Sequence, residues 1–224
     1  MPGVALIHTV AGLDKVFGQL CAEVMPDVPT RHTVDESLLQ DTIAVGHLTD
    51  DVRARFRAHA EAARADGADL IVLTCSSVGP AADDLGDQLG VPVLRIDEAM
   101  AERAAGLGRR VGVAATLPTT LEPTATLVRR AAERLGREVV VTPALADGAF
   151  AALKAGRAEE HDRTVMDVLR SLAAQSDVIV LAQASMARAL AGAETVEADG
   201  RPVPVLTSPR LGVERLRAVV AGTL

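Results

Sequence analysis

The chain has 224 residues, of which 49% are hydrophobic and 24% charged, values that are ordinary for a globular protein with a sizeable core. Aromatic residues make up only 1%, which argues against stacking platforms for single-stranded nucleic acid. The formal net charge of −7 leaves no basic footprint for nucleic acid or anionic lipid. No apolar run approaches the roughly 18 residues that a membrane helix needs, and no basic leader opens the chain. We therefore expect a cytoplasmic protein that binds neither nucleic acid nor membrane.

Short apolar, β-branched runs alternate with longer amphipathic runs along the chain. Most of the short runs are continuously apolar, which is typical of parallel strands that helices cover on both faces. The alternation predicts βαβ units and an α/β fold. The predicted strands cover residues 4–8, 32–34, 69–75, 91–96, 110–115, 138–142, 177–183 and 203–207.

Polar residues mark the expected helix ends. Thr49 is a predicted N-cap of a helix that Gly67 follows, since a threonine oxygen satisfies first-turn N–H groups and glycine adopts the left-handed conformation of a helix end. Asp35 and Asp97 each follow a predicted strand. We expect them to cap helices rather than to bind a substrate amine, because carboxylates are favoured at helix N-termini.

An internal repeat relates the two halves of the chain. The run Asp69-Leu-Ile-Val-Leu73 returns as Asp177-Val-Ile-Val-Leu181, an offset of 108 residues. Two further pairs, the Val-Pro-Val-Leu runs at 91–94 and 203–206 and the strands beginning at 4 and 111, follow at offsets of 112 and 107. Buried parallel strands resemble one another in any case, but three matches in order favour a duplication.

The repeat predicts two similar lobes, each a four-stranded, mainly parallel sheet flanked by helices. We expect the first lobe to hold residues 1–97 and 208–224, and the second to hold 98–207. Open α/β sheets bind ligands beyond the carboxyl ends of their strands, so the predicted active site is the crevice between the lobes.

Cys75 ends the third predicted strand, in the run Leu73-Thr-Cys75-Ser-Ser-Val-Gly79. A helix predicted to begin near Ser77 would present free N–H groups that lower the pKa of this thiol and bind an anion. The alternative is a buried cysteine that serves as a small apolar residue. Cys21, inside a helix predicted over 16–25, is expected to be such a core residue.

Cys75 after Ile-Val-Leu-Thr, the two pseudo-repeated lobes and the strand end Ala115-Thr-Leu-Pro-Thr-Thr120 resemble the aspartate/glutamate/hydantoin racemase superfamily. In that family two cysteines, one from each lobe, flank the substrate Cα; one removes a proton and the other donates one from the opposite face. The resemblance implies a small carboxylate substrate, no cofactor and a homodimer or higher homo-oligomer. His47, His59 and His161 lack metal-ligand spacing, so we assign no metal.

The second motif differs from the family pattern. Gln183 takes the position of the second cysteine, while the following Ala-Ser-Met resembles the hydantoin-racemase-like branch. Glutamine exchanges no proton near neutral pH. Related arylmalonate decarboxylases also keep one cysteine, that of the other lobe, which protonates a carbanion formed by loss of CO2. A racemase or epimerase, a decarboxylase, a cis–trans isomerase and a non-catalytic carboxylate-binding protein all remain open.

The resemblance also implies the residues that bind the substrate. Ser76 and Ser77 match the polar residues that hold its carboxylate, and threonines at the fifth strand end match a second set of donors. Thr119 or Thr120 is alternatively the cap of the next helix. His8, at the end of the first strand, either assists proton transfer or binds a carboxylate, or else it is a hydrogen-bonded polar residue there. Beside the catalytic candidates Cys75 and Gln183, the predicted substrate-binding residues are His8, Ser76, Ser77, Thr116, Thr119, Thr120, Ala184 and Ser185.

Overall fold

A computed structural model describes residues 3–83 and 85–223 of the chain. They form two compact units, the first within Met1–Asp97 and Pro209–Leu224 and the second over Glu98–Ser208. Each unit is a sheet with helices packed on it, which confirms the predicted α/β fold. Within the described residues, none of the helices combines the length and the apolar character that a membrane crossing requires.

The elements alternate between strand and helix over most of the chain. The strands are β1 (Gly3–His8), β2 (Thr30–Val34), β3 (Ala68–Leu73), β4 (Val93–Arg95), β5 (Arg110–Ala115), β6 (Val140–Leu145), β7 (Val178–Leu181), β8 (Thr195–Ala198) and β9 (Arg201–Thr207). The helices are α1 (Leu13–Val24), α2 (Glu36–Val45), α3 (Asp50–Ala65), α4 (Leu85–Leu89), α5 (Glu98–Leu107), α6 (Pro118–Arg134), α7 (Ala149–Lys154), α8 (Ala158–Ala173) and α9 (Ser208–Val220). Short 3₁₀ helices cover Gly79–Ala81 and Ala184–Leu190.

The sheet of the first unit is parallel, with strand order β2-β1-β3-β4 among the described residues. Its apolar runs are continuous because both faces are covered. On one face Val4, Leu6 and Val72 pack with α1 and α9, and on the other Ile7 and Leu73 pack with α3. Cys21 is 1% exposed in the first of these clusters, which confirms its assignment to the core.

The sheet of the second unit has five strands in the described part of the chain, in the order β6-β5-β7-β9-β8, and not the four that we predicted. The additional strand β8 pairs antiparallel with β9. Asp199 and Gly200 join the two strands with φ angles of 51° and 72°, which are the positive values of a type I′ hairpin turn. An Asp-Gly pair is typical of such a hairpin, but the predicted strands rested on apolar runs and did not use it.

Capping agrees with the sequence analysis at two helices and differs at a third. Asp35 accepts a hydrogen bond from the Ser37 N–H at the start of α2, and Thr49 caps α3, as predicted. The prediction that a threonine caps α6 is wrong, because Leu117 is its N-cap and Pro118 its first residue. Proline is favoured at that first position since its fixed φ suits the helix and it has no N–H to leave unpaired.

The two units use the same device at the start of their first strand. Asp69 Oδ2 accepts a hydrogen bond of 2.8 Å from the Gly3 N–H. In the second unit Asp177 Oδ2 accepts bonds of 3.0 and 2.9 Å from the N–H groups of Arg109 and Arg110. The Arg110 side chain also donates to Asp177, and this hydrogen bond is the largest of the interactions that lower the Asp177 pKa. In both units a carboxylate thus ties the first strand to the third.

We expect Asp177→Ala to lower the free energy of unfolding by about 1 kcal/mol at neutral pH, since a partly exposed carboxylate loses several hydrogen bonds. A lowered folded-state pKa means that this contribution is complete above the unfolded pKa of about 3.9 and is lost as the pH falls through the folded value. The free energies of unfolding of wild type and Asp177→Ala, measured by urea denaturation, should therefore converge as the pH falls below about 4. Asp167→Ala, which breaks an exposed pair with Arg170, is the control and should cost little. An unchanged difference at low pH contradicts the prediction.

Candidate active site

Cys75 lies two residues beyond the end of β3, partly buried at the carboxyl edge of the first sheet. Its thiol interacts with the backbone N–H groups of Ser77 and Val78 and with the Thr9 hydroxyl. The Thr9 oxygen is buried and forms no hydrogen bond within the described residues, so its hydroxyl is available to the sulfur atom. Thr9 follows β1, the neighbour of β3, so two adjacent strand ends supply the donors around one sulfur atom.

The pKa of the Cys75 thiol is raised, contrary to the prediction. Burial is the largest cause, and the nearby Asp97 carboxylate adds to it, while the three donors act in the opposite direction. The predicted helix at Ser77 is also wrong, since a turn over 76–78 leads only into the 3₁₀ helix Gly79–Ala81. Without a long helix behind it, the turn offers individual N–H groups rather than a strong helix dipole. The resting cysteine is therefore a thiol stabilised against ionisation.

Behind this turn lies a buried ion pair. Arg95 donates from Nε to Asp97 Oδ1 and from Nη2 to Asp97 Oδ2, both at 3.0 Å. The Ser76 hydroxyl donates to Asp97 Oδ2 at 2.6 Å. Asp97 is 1% exposed and nevertheless ionised: burial, the largest influence on its pKa, opposes this, but Arg95 and Ser76 outweigh it and lower the pKa. Ser76 and Ser77 are both buried, and their predicted contact with a substrate carboxylate stays a prediction.

A chain of side-chain hydrogen bonds runs through the first sheet beside the cysteine. The Thr74 hydroxyl donates to the Ile7 carbonyl at 3.1 Å, so it must accept from His8 Nδ1 at 2.8 Å. His8 Nε2 is then the acceptor of a 2.9 Å bond from His32 Nδ1. The Thr30 hydroxyl lies 3.3 Å from His32 Nε2 and completes the chain. One carbonyl acceptor thereby fixes the tautomers of two neutral imidazoles.

His8 is completely buried and hydrogen-bonded at both ring nitrogens. Burial lowers its pKa to about 4, with a further lowering by His32 and an opposing influence of Asp14. This geometry corresponds to the second of the two predicted alternatives, a satisfied polar residue at a strand end. Its role in substrate binding stays a prediction.

Gln183 has a fixed orientation in the second unit. Its Oε1 accepts a 2.6 Å hydrogen bond from the backbone N–H of Thr116. A backbone N–H can only donate, so the NH₂ group of the amide is turned away, and the described part of the chain gives it no partner. The Thr116 hydroxyl is buried and likewise unpaired among the described residues. Gln183 can therefore donate hydrogen bonds to a ligand, but it cannot act as an acid that transfers a proton to the ligand.

The other predicted residues of the second unit lie at two helix starts. Thr119 and Thr120 belong to the first turn of α6, where Thr119 is partly exposed and Thr120 is buried. Ala184 begins the 3₁₀ helix after β7, and Ser185 is exposed on it. Substrate binding by these four residues stays a prediction.

Sequence reasoning missed Thr9, Arg95 and His32 as parts of this region. A signal for Thr9 existed: β1 and β3 are parallel with Ile7 beside Leu73, so continuing the register places residue 9 beside Cys75. Arg95 similarly pairs with Leu73 across β3 and β4. His32 lies within β2, and only the ring orientation shows its bond to His8.

Comparisons with known proteins agree with the α/β fold described above. A family model described as Asp/Glu/Hydantoin racemase matches residues 9–216. No curated protein matches the sequence.

Among similar solved structures, a glutamate racemase from Bacillus anthracis has a TM-score of 0.75 at 13% identity, with 99% of this chain and 82% of that chain covered. An allantoin racemase from Klebsiella pneumoniae has a TM-score of 0.67 at 19% identity, covering 100% and 89%. A glycine-to-cysteine mutant of arylmalonate decarboxylase has a TM-score of 0.57 at 18% identity, covering 100% and 95%. At these identities the solved structures show a shared fold.

The low pKa of His8 predicts a specific loss of stability in acid. The unfolded chain binds this proton near pH 6.5 and the folded one only near 4, so stability is complete above 6.5 and falls by about 3 kcal/mol as the pH drops to 4. Urea denaturation of His8→Gln should show lower stability at pH 7 but a shallower slope across this range. His47→Gln, at an exposed loop histidine, is the control and should keep the slope. Equal slopes for all three proteins contradict the prediction.

Thr9→Val removes the hydroxyl that faces the Cys75 thiol and preserves the side-chain shape. Because this donor lowers the thiol pKa, its loss should slow iodoacetamide alkylation of Cys75 severalfold at pH 8, as fewer molecules carry the thiolate. Peptide mass spectrometry separates Cys75 from Cys21, whose pKa burial raises to about 11. Thr9→Ser keeps the hydroxyl and should react at the wild-type rate. Identical rates for Thr9→Val and Thr9→Ser rule out the donor role.

Proposed function

The chain belongs to the Asp/Glu/hydantoin racemase family, as the sequence resemblance predicted, and from this premise we propose that it is a cofactor-independent isomerase of a small carboxylate with Cys75 as its proton-transfer residue. The proposal depends on one observation: the Thr9 hydroxyl and the N–H groups of Ser77 and Val78 surround the Cys75 thiol. A purely structural cysteine needs no such donors, as the apolar setting of Cys21 illustrates.

The proposed step is a proton transfer between sulfur and carbon. Cys75 first loses its thiol proton to water. The thiolate then takes the proton from the carbon next to the carboxylate and becomes a thiol again, while the electron pair of the C–H bond passes into the carboxylate as an enediolate. A proton returned by Cys75 to the same face restores the substrate, whereas a proton delivered to the opposite face by a second acid inverts that carbon. Donors aimed at the developing oxyanion would each supply about 3 kcal/mol, and the polar residues predicted to bind the carboxylate are the candidates.

Both states of the Cys75 thiol are needed in this cycle, and the surroundings act on them in opposite directions. Burial and the Asp97 charge favour the thiol, whereas three hydrogen-bond donors favour the thiolate. The thiol prevails at rest, because burial is the largest of these influences, and the donors stabilise the thiolate through which the cycle must pass. Groups that act on both states support a residue that gives and takes a proton.

Gln183 favours a second candidate, decarboxylation of a substituted malonate. Its amide is fixed by the Thr116 N–H and exchanges no proton, so the usual second acid of a racemase is absent at this position. Loss of CO2 creates the carbanion without a base, and a single thiol then suffices to protonate it. A binding protein without turnover is a third candidate, supported by the same replacement.

Proton NMR in D2O tests the proposal directly, by following the α-proton signal of both enantiomers of aspartate, glutamate and small hydantoins. We expect wild type to exchange the α-proton of one compound, and Cys75→Ser to exchange it at least about 100-fold more slowly. Cys21→Ala, a change at the buried core cysteine, is the matched control and should retain exchange.

The outcomes separate the candidates. Exchange with inversion requires a second acid besides Cys75, and exchange without inversion indicates a single thiol. If no compound exchanges but a substituted malonate releases CO2 in a Cys75-dependent manner, the decarboxylase is correct. If a carboxylate only protects Cys75 from iodoacetamide, without exchange or CO2 release, the isomerase proposal is wrong and the chain binds without turnover.

A further inference from the structure

The Arg95–Asp97 pair, at the end of β4, is a costly feature of the first unit. The side chains are 6% and 2% exposed, so both charges have lost most of their hydration. A buried ion pair gives little net stability compared with apolar residues of the same size, because its attraction must first offset the desolvation of two ions. Its presence here therefore calls for a role besides stability.

Both partners of the pair contact the turn that follows Cys75. Asp97 accepts the hydroxyl hydrogen bond of Ser76, the first residue of the turn. At the other end, a Cβ on Gly79 would lie 2.5 Å from the guanidinium carbon of Arg95, so this group packs against bare backbone. A 3.1 Å hydrogen bond from the Gly79 N–H to the Ser76 carbonyl closes the turn, which with Gly79 spans residues 76–79.

We propose that Arg95 and Asp97 are positioning residues for Cys75: together they hold both ends of the turn 76–79, and so aim the N–H groups of Ser77 and Val78 at the sulfur atom. The inference rests on the proposed function for its kinetic consequence, but not for the geometry of the thiol. The backbone N–H donors lie in a turn and not in a helix, so their direction must be fixed by contacts from another element. The buried pair at the end of β4 makes these contacts.

The pair acts on the Cys75 thiol in two ways that mutations can separate. Through Ser76 it orients donors that stabilise the thiolate, and through the Asp97 charge it opposes the same thiolate. Asp97 is the charged group that affects Cys75 in the described residues, and Arg95 compensates part of its charge. Removing the connection and removing the charge should therefore change the thiol in opposite directions.

The test compares alkylation of Cys75 by iodoacetamide at pH 8 in Ser76→Ala and Asp97→Asn. Ser76→Ala removes the connection, so the donors lose alignment and we expect a severalfold slower reaction than in wild type. Asp97→Asn retains an acceptor for Ser76 but loses the charge, so we expect a severalfold faster reaction. Asp177→Asn, the same change at an aspartate–arginine pair in the second unit, is the matched control and should leave the rate unchanged.

Kinetics give a second readout if α-proton exchange is found. Ser76→Ala should then lower kcat by about 10- to 100-fold with little change in KM, because the Ser76 hydroxyl proton is donated to Asp97 rather than to a substrate, and the misaligned donors act on the reacting sulfur. Ser76→Thr keeps the hydroxyl and should restore most of the rate.

Circular dichroism establishes that each variant is folded before alkylation is compared. A merely structural pair would change both rates in the same direction or leave them equal to wild type, and either result overturns the proposal. If Asp97→Asn does not fold, Ser76→Ala decides alone, and an unchanged alkylation rate in it refutes the positioning role. Since alkylation needs no turnover, absence of exchange would count against the proposed function and not against this inference.

Discussion

Burial of a parallel sheet on both faces is the constraint on which the first unit depends. Helices α1 and α9 cover one side and α3 the other, so the central strands β1 and β3 carry long apolar runs. The polar groups around Cys75 gather where strands end, because there the backbone leaves the covered layer. Thr9, Cys75 and Asp97 each follow a strand, and they meet for that reason. The same covering that stabilises the fold removes water from the cysteine and makes its ionisation difficult.

The periodicity of the sequence was enough to predict the sheets but not the electrostatics of the site. The continuous apolar run predicted the bounds of β5, Arg110–Ala115, without error, since a strand covered on both faces requires apolar residues at nearly every position. Strand β8 was missed because the prediction followed apolar runs and gave no weight to the Asp199-Gly200 turn. The direction of the Cys75 pKa depends on burial and on Asp97, a residue more than twenty positions away along the chain, and neither influence is visible in a local motif.

The two cysteines of the chain illustrate how surroundings separate chemistry from packing. Burial raises both pKa values, and for Cys21 it is the cause that matters. Around Cys75, three donors oppose burial, and an ion pair lies behind them. A raised pKa alone therefore does not mark an inert cysteine. What distinguishes the two residues is whether the protein has also provided groups that stabilise the charged form.

The hairpin of β8 and β9 has a consequence for how the second unit behaves in concentrated solution. Without β8, the seven-residue strand β9 would present an open row of backbone N–H and C=O groups, to which strands of other molecules can add. Strand β8 covers that row and is itself only four residues long, with exposed Glu197 in its middle. A short, charged border is a poor template for further pairing. The additional strand thus protects the sheet against aggregation, a property that the first unit obtains differently, with the three-residue β4 at its own border.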